Sequence, residues 1–153
     1  MNTAHCSLFA LPGIPDVQPG DDVGRLLLAA LDRAGLAPQD GDVLAVAQKI
    51  VSKAEGRLVD LADVEPGERA RELAGQTDKD PRLVELILRE SDEVSRVRPG
   101  VIIVRHRLGF TSANAGIDRS NVGPGGEERV LLLPVDPDAS AARLRAELQR
   151  TFG

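Results

Sequence analysis

The chain has 153 residues, of which 28% are charged and 42% apolar, and these proportions are typical of one globular domain. A net charge of −5 disfavours a general polyanion binder, and the scarcity of aromatic residues argues against binding single-stranded nucleic acid by base stacking. The only cysteine, Cys6, cannot form an intrachain disulfide. Because the sequence has no signal-peptide pattern and no apolar run near ~20 residues, we predict a cytoplasmic protein with no membrane or nucleic-acid partner.

The N-terminal third predicts a short strand, a rigid connection and a helix. The strand covers Ser7–Leu11, and the prolines and glycine of Pro12–Asp16 restrict the connection that follows. Either Asp21 or Asp22 caps the helix, which ends at Gly35. The apolar residues of this helix recur with helical spacing on one face: Val23, Leu26, Leu27, Ala30, Leu31 and Ala34.

The most prominent stretch is residues 43–56. Val43–Ala47 is a continuous apolar run, which predicts a buried strand. It is followed at once by a polar cluster: Gln48, Lys49, Ser52, Lys53 and Glu55. Two lysines and a serine at the end of a strand could hold phosphate oxygens. The alternative is a strand that runs into an exposed short helix, since surface lysines are common.

The remaining elements alternate irregularly between strands and helices. Strands are predicted at Arg57–Leu61, Val94–Val97, Val101–Val104 and Val130–Leu133. One helix starts at Pro66 and ends near Gly75, and the next is capped by Asp80, with Pro81 at its first position. The last helix starts at Asp136–Pro137 and places Ala141, Leu144, Leu148 and Phe152 on one face. This order predicts an α+β (irregular α/β) fold, with a mainly buried mixed sheet and flanking helices.

Residues 109–126 form a polar, glycine-rich loop region that ends in the connector Gly123–Gly126. Asp118, with Asn114, Ser120 and Asn121 nearby, offers hard oxygen ligands suited to Mg²⁺ or Mn²⁺. The alternative is an Asx-type turn in which these side chains bond their own backbone. A second basic group could be a solvated face or a surface for an anionic substrate: Arg96, Arg98, Arg105 and Arg107.

Several stretches together resemble the coenzyme F420-0:gamma-glutamyl ligase family. They include Ile14–Val17, Asp40–Val43, Ala47–Arg57 and Asp80–Ser91, and the resemblance continues through Asn114–Asn121 and Leu131–Ser140. It covers nearly everything after the first ten residues, in order. The sequence contains neither a standard P-loop nor a Rossmann glycine fingerprint, so these joint matches carry the functional expectation.

The resemblance implies a GTP-dependent ligase that adds L-glutamate to coenzyme F420-0. The precursor's carboxylate would be activated as an acyl phosphate, which the amine of glutamate would then displace. The implied ions are two Mg²⁺ or Mn²⁺, with K⁺ as a further candidate, and the implied assembly is a homodimer.

Site residues follow from the resemblance position by position. Ile14, Pro15, Asp16 and Val17 resemble a segment that contacts GTP. Three other positions resemble nucleotide contacts: Gln48, Lys53 and Asn121. Asp118 resembles the first metal ligand. Lys49 and Ser52 rank lower as ligand contacts, and no residue is assigned as catalytic.

The sequence departs from the family pattern after Thr151-Phe152-Gly153. Family members continue with a strand that ends in Asp-Thr-x-Gly-Arg, which supplies further metal ligands, and with another lobe. Residues 1–153 are therefore predicted to be a single domain that matches the N-terminal portion, without the C-terminal lobe. The alternative is a non-catalytic guanine-nucleotide-binding module, or one half of a split ligase.

Overall fold

A computed structural model of the chain describes residues 5–120 and 128–153. Within these residues the helices are α1 (Val23–Ala34), α2 (Gln48–Ala54), α3 (Glu68–Thr77), α4 (Pro81–Arg89) and α5 (Pro137–Phe152). The strands are β1 (Leu58–Asp60), β2 (Ser91–Arg98), β3 (Val101–His106), β4 (Thr111–Ala113) and β5 (Arg129–Leu131). Short 3₁₀ turns follow β1 and β4. These elements confirm the predicted α+β class.

The strands form two small sheets. β2, β3 and β4 make an antiparallel sheet in that order, with Val94 opposite Val104. β1 and β5 pair antiparallel, with Val59 opposite Val130. Every pairing among the described strands is thus antiparallel, where the sequence predicted a mixed sheet. β4 itself lies in the region predicted to be loop, and it exists because it pairs with β3.

Helices α1 and α4 begin at the predicted capping residues, whereas α3 has no side-chain cap and covers Glu68–Thr77 instead of Pro66 to about Gly75. The Asp22 carboxylate accepts a hydrogen bond from the Arg25 backbone N–H at the start of α1, and Gly35 ends that helix in the left-handed conformation. Asp80 caps α4 in the same way, with Pro81 at the first position. These local signals explain why the sequence located both helices.

The hydrophobic core lies between helices α3 and α4 and the two sheets. Val84 and Ile87 of α4 are fully buried, as are Ile102 and Val104 of β3 and Val130 of β5. Aliphatic side chains fill this core, as the scarcity of aromatic residues requires. The apolar face predicted for the last helix is only partly covered: Leu144 and Leu148 are half-buried, while Ala141 and Phe152 are exposed.

Two predicted strands are wrong. Residues 7–11 and 43–47 are neither strand nor helix, and Leu8 and Val43 are 97% and 90% exposed. A strand exists only when a neighbour completes its hydrogen bonds, and no backbone hydrogen bond joins residues 7–11 or 43–46 to another described residue. Apolar composition alone therefore could not establish either strand.

The remaining predictions have mixed outcomes. Arg105 and Arg107 pair with Glu93 and Glu90, while Arg96 and Arg98 are exposed, as a solvated face would be. The predicted connector at Gly123–Gly126 lies outside the described residues. Within the described residues, no helix is long and apolar enough to cross a membrane.

The contrast between α4 and the 43–47 segment can be tested by truncating one apolar side chain in each. Ile87→Ala removes a fully buried side chain and should lower the free energy of unfolding by about 2–5 kcal/mol. Val43→Ala removes an exposed one and should change it by no more than about 0.5 kcal/mol. Urea unfolding followed by circular dichroism measures both. Equal losses would contradict the exposed position of Val43.

Candidate functional site

Helix α2 organises the candidate site. It starts after Ala47 and ends before Gly56, whose positive φ of 66° takes the chain out of the helix. Its polar side chains are spaced four residues apart, so Lys49 and Lys53 lie on one face and Gln48 and Ser52 on an adjacent one. Of the predicted alternative, the short helix is present, but no strand precedes it and its residues are half-buried or buried rather than exposed. The helix presents both lysines in the same direction.

The C-terminal half of α2 is fixed by contacts with three other segments. The Ala54 carbonyl accepts a hydrogen bond from the Gly20 N–H at 2.8 Å. The Ser52 carbonyl accepts one from the Arg57 N–H at 2.9 Å, at the entrance to β1. The Glu55 carboxylate accepts hydrogen bonds from Ser140 of α5 and the backbone of Val135. These bonds set where the two lysines point.

Lys53 pairs with Asp16, which belongs to the predicted nucleotide-contacting segment. Its Nζ lies 2.7 Å from Asp16 Oδ1, and only 13% of the lysine side chain is exposed. The hydrogen bond and positive charge of Lys53 lower the pKa of the Asp16 carboxyl. Val17, the next residue, is buried, while Ile14 is half-buried and Pro15 is exposed. The structure therefore brings this segment to the Lys53 side of α2.

Lys49 contacts Asp118, the predicted metal ligand. Its Nζ lies 2.8 Å from Asp118 Oδ2, 2.6 Å from Ser120 Oγ and 3.3 Å from the Ser120 carbonyl oxygen. Three oxygen atoms thus surround one cationic group. Lys49 ranked low in the sequence, although its four-residue spacing from Lys53 was the signal that could have raised it.

The Asp118 loop forms the Asx-type turn that was one of the two interpretations of its sequence. Asp118 Oδ1 accepts hydrogen bonds from the backbone N–H and hydroxyl of Ser120, both at 2.7 Å, which is the predicted Asx-type turn. The Asp118 backbone also exchanges two hydrogen bonds with Leu131 of β5. The turn is therefore anchored to a core strand, and it leaves Oδ2 directed at the lysine.

The charge state of Asp118 follows from these contacts. Burial raises the pKa of its carboxyl, but the hydrogen bonds from Lys49 and Ser120 outweigh burial and lower the pKa to about 2. Asp118 is therefore a carboxylate at neutral pH. The pairing stabilises the fold above the unfolded-state pKa of ~3.9, and this contribution is lost as the pH falls through about 2.

The other predicted contact residues have different surroundings. The Gln48 side-chain amide donates to Ser52 Oγ and, at 3.5 Å, to the Leu132 carbonyl, so it is half-buried against the end of β5. Asn114 Oδ1 accepts from the Ile102 N–H at 3.2 Å and so supports β3. Asn121 lies outside the described residues.

The oxygen atoms of Asp118 and Ser120 are of the type that Mg²⁺ or Mn²⁺ prefers, and they could supply part of its coordination. Mg²⁺ commonly takes one or two carboxylates and completes its coordination with water and phosphate oxygens. Asp118 Oδ2 and Ser120 Oγ supply hard oxygens, and the ammonium group of Lys49 already lies beside both. The described residues contain no group of three or more His, Cys, Asp or Glu side chains that could hold a metal.

Comparison with known proteins gives a consistent set of relatives. The family model described as F420-0:Gamma-glutamyl ligase matches residues 13–153. The chain is 44% identical over 147 residues to a coenzyme F420:L-glutamate ligase of Methanothermobacter thermautotrophicus, covering 96% of this chain and 57% of that protein. It is 47% identical over 137 residues to the protein of that name from Methanopyrus kandleri, covering 90% and 51%. The chain therefore spans about half the length of the curated relatives it matches.

The two lysine–carboxylate pairs can be separated by titration. Lys49→Met removes a hydrogen bond and a positive charge from Asp118 and should raise its pKa from about 2. Lys53→Met is the matched control, which should raise the pKa of Asp16 and leave that of Asp118 unchanged. Carboxyl-carbon NMR across pH 1.5–6 measures both groups. The geometry would be contradicted if the two variants shifted Asp118 equally.

Proposed function

Because the chain belongs to the F420-0:gamma-glutamyl ligase family, we propose that it forms the nucleotide- and metal-facing part of an enzyme that joins L-glutamate to coenzyme F420-0. One observation carries this proposal. Lys49 and Lys53 lie on one face of α2, and each is paired with a carboxylate of a segment that the family resemblance assigns to nucleotide or metal binding.

The proposed reaction is GTP-dependent. A carboxylate is a poor electrophile, so a carboxylate oxygen of coenzyme F420-0 attacks the γ-phosphorus of GTP, and GDP leaves. The amine of L-glutamate then attacks the carbonyl carbon of the acyl phosphate. The C–N bond forms, the C–O bond to phosphate breaks, and the amine loses a proton, which gives an amide, inorganic phosphate and GDP. Positioning and charge stabilisation are the protein's main contributions to such a transfer.

The two lysines would assist by exchanging partners. In the structure their ammonium groups neutralise Asp16 and Asp118. When a triphosphate enters, its oxygens compete for Lys53 and Lys49, which carry the positive charge that phosphoryl transfer requires. Asp118 and Ser120 would then hold Mg²⁺ or Mn²⁺, which neutralises phosphate charge when it is bound. GTP contacts by Gln48 and Asn121, a K⁺ ion, the homodimer and the cytoplasmic location stay predictions.

A second function is nucleotide binding without turnover, either as a binding module or as one half of a split ligase. The observation that favours it is that Asp118 is paired with Lys49, and the described residues contain no group of three or more His, Cys, Asp or Glu side chains that could hold a metal. Calorimetry of the 153-residue chain with GTP and Mn²⁺, beside a ligation assay, distinguishes the two functions. Binding without ligation supports the second, whereas ligation by this chain supports the first.

The roles of the lysine and the aspartate can be tested in a full-length hybrid, defined as the Methanothermobacter relative in which this chain replaces the part that it matches. Lys53→Met and Asp118→Asn should each lower kcat/KM for GTP at least ~100-fold, because each removes a charge used in phosphoryl transfer. Chromatographic separation of coenzyme F420-0 from its glutamylated product measures ligation.

The matched control is Arg71→Met. Arg71 of α3 also forms an ion pair, with Glu65 at 3.3 Å. Both side chains are largely exposed, and Glu65 lies in the segment before α3. This substitution should change kcat/KM less than about twofold. If Lys53→Met were as active as Arg71→Met, the proposed phosphate contact would be wrong.

A further inference from the structure

The segment Val43–Ala47 combines an apolar sequence with an exposed position. All five residues are apolar, and such a run is typical of a strand buried on both faces. Leu44 and Val46 are half-buried, whereas Val43, Ala45 and Ala47 are exposed. The alternation shows that one side of the segment is packed and the other is open. The described chain therefore covers only one of the two faces for which the sequence is suited.

The backbone of this segment is open as well. No backbone hydrogen bond joins residues 43–46 to another described residue, although each has an N–H donor and a carbonyl acceptor. Exposed, unpaired and apolar segments promote aggregation unless another strand or layer covers them. The segment has the properties of a strand whose partner is supplied from elsewhere.

The relatives contain polypeptide that the match with this chain does not cover. The matches cover 51–57% of the two archaeal relatives described above, so much of the family's length is not represented in this chain. The segment also leads directly into α2, whose first residue is Gln48 and whose next is Lys49. A strand docked on residues 43–47 would therefore lie next to the start of the helix that carries Lys49.

We propose that Val43–Ala47 is a docking strand for the part of the family's length that this chain does not cover. That part adds a strand along the 43–47 backbone and covers the open face formed by Val43, Ala45 and Ala47. Docking places its residues next to the lysines of α2. The inference rests on family membership and on the exposure of this segment, and it does not depend on which reaction the enzyme performs.

Hydrogen exchange tests the proposal in the 153-residue chain and in the full-length hybrid. In the 153-residue chain, the amides of residues 43–47 should exchange at nearly the unfolded rate. In the hybrid, their exchange should slow at least ~100-fold, because strand pairing protects amides. Equally fast exchange in both proteins would overturn the proposal. If the hybrid does not fold, the natural Methanothermobacter relative is measured at the segment aligned with residues 43–47, and fast exchange there would overturn the proposal equally.

A proline substitution tests whether the backbone itself is paired. Ala45→Pro removes one N–H, and it should leave the stability of the 153-residue chain nearly unchanged but speed exchange at residues 43–47 at least ~10-fold in the hybrid. Phe9→Pro, in the other exposed apolar segment, is the control and should leave exchange at 43–47 unchanged in both proteins. If Phe9→Pro acts like Ala45→Pro, residues 7–11 are the occupant and the proposal is wrong.

A second copy of the chain is the remaining occupant to distinguish. A photocrosslinker at position 43 of the hybrid should link to residues beyond position 153 of the same molecule. Links between two molecules, or protection at 43–47 that rises with the concentration of the 153-residue chain, would identify self-association and overturn the proposal. Ligation activity is not used in these measurements, so failure of the docking strand and failure of the proposed reaction are distinguishable.

Discussion

The candidate site depends on the geometry of one short helix. Residues four apart on an α-helix are separated by about 6 Å along its axis, so Lys49 and Lys53 define two positive positions at that spacing. Each position holds a carboxylate that is distant in sequence, Asp118 in one case and Asp16 in the other. Partly exposed ion pairs contribute little to stability. Their importance here is positional, because they bring two separate segments to one face of α2.

A partly buried charge network around Glu90 connects this helix to the sheets. The Glu90 carboxylate, at the end of α4, accepts hydrogen bonds from Arg57 at 2.8 Å and from Arg107 at 3.0 and 3.1 Å. Arg57 also donates to the Leu133 carbonyl at 2.8 Å, and it follows directly after the glycine that ends α2. The Glu90 carboxylate is the buried member of this network, so removing its arginine partners would leave a buried charge uncompensated. Glu90 therefore ties α2 to both sheets.

His106 lies at the edge of the same network and is held neutral. It is fully buried, and its Nδ1 accepts a hydrogen bond from the Leu108 N–H at 3.0 Å, so this nitrogen carries no proton. Burial lowers the pKa of the imidazole, and the charges of Arg107 and Arg57 lower it further, against the opposing effect of Glu90. The neutral His106 ring stacks on Phe110. The Glu90 carboxylate is therefore paired with two cations, Arg57 and Arg107.

The sequence predicted the features that depend on local chemistry. Asp22 and Asp80 located their helices because a capping side chain acts within three residues. The Asp118 turn was predictable for the same reason. The pairing of Lys49 with Asp118 was not, because the two residues are 69 positions apart and only the folded chain shows which lysine reaches the turn. β4 was missed because its existence depends on β3 more than on its own composition.

The failed strand at Val43–Ala47 differs in kind from these omissions. β2 is also an edge strand, but its exposed positions include Asp92, Glu93 and Arg96, and its pairing with β3 is interrupted by two register shifts. Charges and bulges are the features that keep an edge from pairing with another chain. At β2 most of the exposed side chains are charged, as expected for an edge strand. Residues 43–47 carry no charge, yet three of the five are exposed. The segment leads directly into α2, so the proposed docking strand would lie next to the helix that carries Lys49 and Lys53.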